Sequence, residues 1–213
     1  MRYSRPDFPM DKKIKRPKFE RVSPGERRAR LIEASIACLA KGGIQGFTVD
    51  NICREAGTSR GLIAHHFGSK DALLAAVYAA VYGRVLDSFE WADSTAPDIE
   101  SIVETVFADS FLSRQYLNVW LALWGEIAVN PALQLEHRKH YALYRERVAR
   151  LISGIARSRG VVVDSYDVAT IFISLVDGLW LEQCIDSSQM SLLRARELCR
   201  QTLNLALSPA RQT

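Results

Sequence analysis

The stretch whose reading decides the fold is Thr48 to Phe67, TVDNICREAGTSRGLIAHHF. It reads as two short helices around a tight turn. Thr48 caps the first, which runs to about Ala56, and Ser59 starts the second, which ends near Phe67. Ile52, Ala56, Ile63 and Phe67 fall on the faces that meet, and Ala56 is small enough to let the backbones approach. Gly57 can take the left-handed conformation that the turn requires. This is the pattern of a helix-turn-helix, whose second helix enters a major groove and offers its N-terminal side chains to base edges. Those side chains are Arg60, Gly61, Leu62, Ala64 and His65. Thr48 and Ser59 begin helices, where free N–H groups and the helix dipole favour phosphate oxygens. Lys70, just past the motif, reaches a phosphate as a point charge. The competing reading is a plain helical hairpin with no nucleic-acid role.

Upstream of the motif the chain is basic. Residues 1–30 hold eleven Lys/Arg against four Asp/Glu, and the remaining residues hold 17 against 20. A basic front on a slightly acidic body suits a polyanion, or equally a solvated tail. Residues 1–22 carry three of the seven prolines and no apolar period, so they read as a flexible arm. Order begins at Ser23-Pro24-Gly25-Glu26, a capping box with Pro at the first helical position. The helix that follows places Leu31, Ile32, Ala34, Ser35, Cys38 and Leu39 at three-to-four spacing and ends at Gly42-Gly43.

Downstream, nearly everything reads as helix. A fourth follows Ser69 and carries Leu73, Leu74, Val77, Tyr78, Val81, Tyr82 and Val85. A fifth opens at Pro97-Asp98 and continues to about Phe111, and a sixth holds Tyr116 to Val129. Asn130-Pro131 starts a long seventh that Gly160 stops, Asp164 or Ser165 caps an eighth to about Ile185, and a ninth ends near Leu207. The fold class is therefore all-α, about nine helices. It divides into an arm (1–22), a head with the helix-turn-helix (23–70) and a helical body (71–213). The longest uncharged run, Ala72 to Gly83, has 12 residues, and a membrane span needs roughly 20. The four scattered cysteines fit a reducing cytoplasm rather than a disulfide framework.

The runs RRARLIEASIACLAKGG and FTVDNICREAGTSRGLIAHHFGSKDALLAAV resemble the tetracycline-repressor (TetR) family of transcriptional regulators, from about residue 26 to 207. The resemblance implies a ligand-responsive homodimer that binds a pseudo-palindromic double-stranded operator. It implies a recognition helix over Arg60 to His66, with phosphate contacts at Thr48, Ser59, His66 and Lys70. It also implies a dimer interface built from the eighth and ninth helices. The body is similar to one subgroup, the choline-responsive repressors of betaine synthesis (BetI). The carrying residues are Val119-Trp120-Leu121-Ala122-Leu123-Trp124, Asn130-Pro131 and Leu175-Val176-Asp177-Gly178-Leu179-Trp180-Leu181. A regulator of efflux or catabolism with another hydrophobic or cationic ligand is the alternative.

The body also carries its own signal for a ligand. Tyr116, Trp120 and Trp124 repeat every four residues along one helix face, and Trp180 stands beside Asp177 in an apolar run. A carboxylate there is costly unless paired. Aromatic faces with a carboxylate suit a quaternary ammonium such as choline. Phe107, Phe111, Tyr141 and Tyr144 are further candidate walls. The bland reading is an aromatic core, with Asp177 paired to an Arg or across the dimer.

No cofactor and no metal are expected. His65 and His66 are adjacent and point about 100° apart on a helix. His137 and His140 lie a turn apart without a third ligand. No Gly-rich phosphate loop, Gly-x-Ser-x-Gly elbow or paired carboxylate motif occurs, so an enzyme reading has no support in the spacing.

Overall fold

A computed structural model describes residues 23–89 and 96–209. The basic arm (1–22) lies outside the described residues. Among the described residues there are ten helices and no strand. They are α1 (Pro24–Gly46), α2 (Val49–Ala56), α3 (Arg60–Phe67), α4 (Lys70–Asp87), α5 (Ile99–Val106), α6 (Asp109–Leu112), α7 (Arg114–Ile127), α8 (Pro131–Arg159), α9 (Ser165–Ile185) and α10 (Leu192–Ala206).

Caps set most of these boundaries. The Ser23 Oγ accepts from the Glu26 N–H while Glu26 accepts from the Ser23 N–H, closing the capping box at the start of α1. Thr48, Ser69, Asp98, Ser113, Asn130, Asp164 and Ser191 likewise accept first-turn N–H groups with their side chains. Within α1, Gly42 and Gly43 leave helical geometry, Gly43 at φ 55°. The sequence places the end of the first helix there.

The expected fifth helix is cut short. Phe107 turns its ring into the core, fully buried, and Ala108 is extended, so α5 stops at Val106 and α6 adds one turn. The Phe107 carbonyl freed by the break accepts from Arg196 Nη2 of α10 at 2.8 Å. The expected sixth to ninth helices are therefore α7 to α10.

One apolar cluster runs from Leu31 in α1 to Leu207 past α10. The helix α1 packs on α2, α4 and α7, α4 also on α3 and α8, and α9 on α7, α8 and α10. By length and composition α9 could cross a bilayer, with mean hydropathy 1.5 over an 18-residue window. An uncharged-run criterion passes over it because Asp167, Asp177 and Glu182 divide it into shorter runs. Its Phe172, Ile173, Val176, Leu179 and Trp180 are instead buried in the core.

Candidate functional site

Two places carry chemistry. The first is the pair α2–α3. Ile52 and Ile63 are buried at the junction, and Ala56 and Phe67 pack beside them. Gly57 caps α2 at φ 63°, ψ 40°, the left-handed geometry that a β-carbon disfavours. The turn is thereby short, and α3 packs on α2 and α4 with its outer side left to solvent. Ser59, Arg60, Gly61, Ala64, His65 and Lys70 are exposed, as is Thr48 at the start of α2. Leu62 is half-buried against the core and His66 is half-buried. The Thr48 Oγ1 accepts from the Asn51 N–H at 3.2 Å, whereas the Ser59 hydroxyl makes no cap bond. Lys70 Nζ lies 6.0 Å above the Phe47 ring. Arg60 Nη2 meets Asp50 Oδ1 at 2.6 Å.

The second place is a cavity in the body. It is walled by Tyr82 and Val85 of α4, Trp120 and Trp124 of α7, Tyr144 of α8, and Val176, Asp177 and Trp180 of α9. Its free volume is about 20 Å³, room for about one water molecule. The rings interlock: Trp120 lies 5.1 Å from Tyr82 edge-on, 6.0 Å from Trp124 and 6.1 Å from Trp180, centroid to centroid. The expected residues separate into layers. Trp120, Trp124, Asp177 and Trp180 line the space. Tyr116 backs Trp120, and Phe111 backs both Trp180 and Tyr116. Phe107 does not line the cavity, because the break after α5 commits its ring to the core. Tyr82 and Val85 belong to the apolar stripe of the fourth helix and Val176 to the apolar run around Asp177, and nothing in their spacing marks them as cavity walls.

Asp177 is the unusual group. The Tyr141 hydroxyl donates to its Oδ2 at 3.2 Å, and among the described residues it has no ion pair, neither an Arg nor a Lys. Burial pushes its carboxyl up to about 6, against the pull of the Tyr141 hydrogen bond. Burial, with Asp177 nearby, pushes Tyr141 up to about 12 and raises Tyr82 and Tyr144 well above the phenol range. The indole N–H of Trp180 is buried without an acceptor among the described residues. Tyr141 is itself held from outside, with the Arg145 guanidinium 5.0 Å above its ring and His137 stacked at 5.0 Å. On the far side of Tyr82, the Tyr78 hydroxyl lies 2.8 Å from His137 Nδ1 and so ties α4 to α8. Among the described residues no group of three His, Cys, Asp or Glu is disposed around a common metal position. Cys38, Cys53, Cys184 and Cys199 are unpaired thiols.

Comparison with known proteins places this architecture. Residues 31–77 match the bacterial regulatory proteins of the tetR family, and residues 96–208 match the C-terminal domain of BetI-type transcriptional repressors. The HTH-type transcriptional regulator BetI of Burkholderia thailandensis is 27% identical over 189 residues, covering 86% of this chain and 94% of that protein. A transcriptional regulator of Pseudomonas aeruginosa PAO1 of known structure is 35% identical, covers 90% of this chain and 95% of its own, and superposes with a TM-score of 0.77. A regulator from Saccharomonospora viridis, solved in complex with choline, shares the fold at 24% identity and TM-score 0.73, over 84% of this chain and 96% of that one. The chain belongs to the TetR family of transcriptional regulators and carries a BetI-type C-terminal domain.

Proposed function

We propose that this regulator is a homodimeric repressor that leaves its operator when a quaternary ammonium of the choline class enters the cavity around Asp177. The observation that carries this reading is the carboxylate itself. It shares the cavity with three indole and two phenol rings, and among the described residues it accepts one hydrogen bond, from the phenol of Tyr141, and has no cation as a partner. Ring faces attract an alkylammonium by about 2 kcal/mol or more when water is excluded, and a carboxylate largely shielded from water adds a full opposite charge. The unpartnered Trp180 N–H offers a donor for a ligand oxygen. The BetI relatives and the choline-bound regulator of like fold make choline the first probe to try.

At the other end, Arg60, Gly61, Leu62, Ala64 and His65 face the base edges, and Thr48, Ser59, His66 and Lys70 hold phosphates. Their exposure supports this reading, and Leu62 serves mainly to seat α3 on the core. A two-fold dimer then reads half-sites about 34–36 Å apart, or a multiple of that. Such a regulator works in the cytoplasm, beside the DNA.

The link between the two places is α4. It supplies Tyr82 and Val85 to the cavity and also packs against α3. A trimethylammonium group is larger than the free volume, so its entry must part the rings and displace α4. A differential of a few kcal/mol between the two arrangements suffices for release.

The test has two arms. Duplexes from the promoters beside the protein's own gene are mixed with purified dimer, with and without millimolar choline. Retention without choline and release with it is the expected result. In calorimetry choline binds the wild type and loses about tenfold or more in affinity in Asp177→Asn. Binding of DNA without any response to choline or its trimethylammonium relatives would leave the regulator and remove this effector.

A further inference from the structure

An acidic side chain on a surface that meets DNA is repelled by the phosphates, so Asp50 needs a reason to be where it is. It occupies the second position of α2, and Arg60 is the first residue of α3. Their contact, Asp50 Oδ1 to Arg60 Nη2 at 2.6 Å, joins the leading ends of the two helices across the turn. Both side chains remain well exposed, 56% and 74%, so the pair lies open to solvent on the face that carries the recognition residues. Among the described residues Asp50 is the one polar partner of Arg60. The neighbouring Arg54 turns instead to Asn51 Oδ1 at 2.9 Å, and Lys41 to Glu55 at 2.7 Å.

We propose that Asp50 is a positioning and specificity-determining residue, which holds the Arg60 guanidinium so that its free edge reads one base pair of the half-site. The inference rests on the reading of α3 as the recognition helix. A guanidinium has five donors in a rigid fork. Asp50 takes one Nη2 proton, and the second Nη2 proton, together with the neighbouring donor that points the same way, forms the edge left for the paired acceptors O6 and N7 of a guanine. The side chain is ordered before DNA arrives, so less freedom is lost on binding. Asp50 also acts against wrong sequences. Where the base offers no acceptor pair, Arg60 can turn to a phosphate only by leaving a carboxylate unpaired beside the polyanion. The carboxylate therefore weakens binding to random DNA and spares the operator.

A structural rival exists, because an Asp in the first turn of a helix also complements the helix dipole. Sequence preference separates the two. The full-length protein is used to select from duplexes randomised over both half-sites, and affinities for the selected operator and for random duplex are measured against salt. In Asp50→Asn, preference at a single base pair per half-site flattens. Random-sequence affinity rises several-fold, the salt slope steepens by up to about one unit per subunit, and the operator-to-random ratio falls about tenfold. Arg60→Ala flattens the same position, and Asp50→Glu restores part of it. Circular dichroism melting checks that the variants remain folded. An unchanged preference in Asp50→Asn, with Arg60→Ala altered, overturns the positioning role and leaves the recognition helix standing. A change in Asp50→Asn at a different base pair from that of Arg60→Ala makes Asp50 a direct reader and also overturns it. Arg60→Ala with unchanged preference overturns both this inference and the assignment of Arg60 beneath it.

Discussion

At the scale of single residues, Asp177 concentrates the chemistry of the body. Its carboxyl titrates near 6 because burial penalises the charged form, and the Tyr141 donor opposes this. The groups that face it are phenols: Tyr141 and Tyr144 from α8, and Tyr78 and Tyr82 from α4. All four stay protonated across the neutral range, because burial raises each of them. A cation is attracted only to the ionised carboxylate, so choline affinity should be flat above pH 7. It should fall by about tenfold per pH unit once the pH drops below 6, to a floor set by the rings. Without ligand the sign reverses. A carboxyl whose folded value exceeds its unfolded one favours the fold when protonated, so its contribution to stability declines as pH rises from about 4 through 6. Calorimetric titration with choline from pH 5 to 8, beside Asp177→Asn, tests the first claim. A profile for the wild type as flat as that for the variant would remove Asp177 from the site. Tyr141→Phe should move the midpoint upward, because it deletes the one hydrogen bond that favours the ionised form.

At the scale of the element, the hairpin α2–α3 depends on one backbone conformation. A β-carbon on Gly57 would meet no atom within 4 Å, so the cost of Gly57→Ala is conformational alone. We expect about 1–2 kcal/mol from the left-handed strain. Gly57→Asn should cost visibly less, because Asn tolerates that region. Urea denaturation of both variants measures this, and equal losses would mean that the turn relaxes. The hairpin was legible in the sequence because each of its signals is local: a cap, a small residue, a glycine and an apolar period. The break after Val106 was not. Residues 97–111 carry a continuous helical pattern, and the Arg196 that accommodates the break stands 89 residues away. The cavity divides in the same way. Trp120, Trp124, Trp180 and Asp177 announce themselves, as indoles on one face and a carboxylate in an apolar run are chemically unusual. Tyr82, Val85 and Val176 share the spacing of ordinary core residues. Phe107 resembled a wall residue until a bend in the chain took it elsewhere.

At the scale of the whole molecule, α9 is apolar on more sides than one subunit covers. Its inner face is buried, yet Ile171, Leu181 and Ile185 remain 60%, 39% and 65% exposed. Ser174 and Gly178 also lie exposed on this outward side. A β-carbon at Gly178 would touch nothing within the subunit, so the gap suits a second helix at close range. A helix apolar all round belongs inside a larger core. Regulators of this family act as dimers, and the outer face of α9, with Leu193 and Leu205 of α10 at 75% and 78% exposure, is the surface we assign to that contact. The double substitution Ile171→Asp, Leu181→Asp should then yield a folded monomer in sedimentation, because neither side chain contributes to the core of its own subunit. Operator affinity should fall by about 100-fold or more, since each head would then bind a half-site without the other raising its effective concentration. Choline titration should be nearly unaffected, because neither Ile171 nor Leu181 lines the cavity. That contrast separates loss of the interface from general damage. If the variant stays dimeric with full operator affinity, the subunits meet elsewhere. If it loses choline binding along with the dimer, the cavity draws part of its shape from the partner.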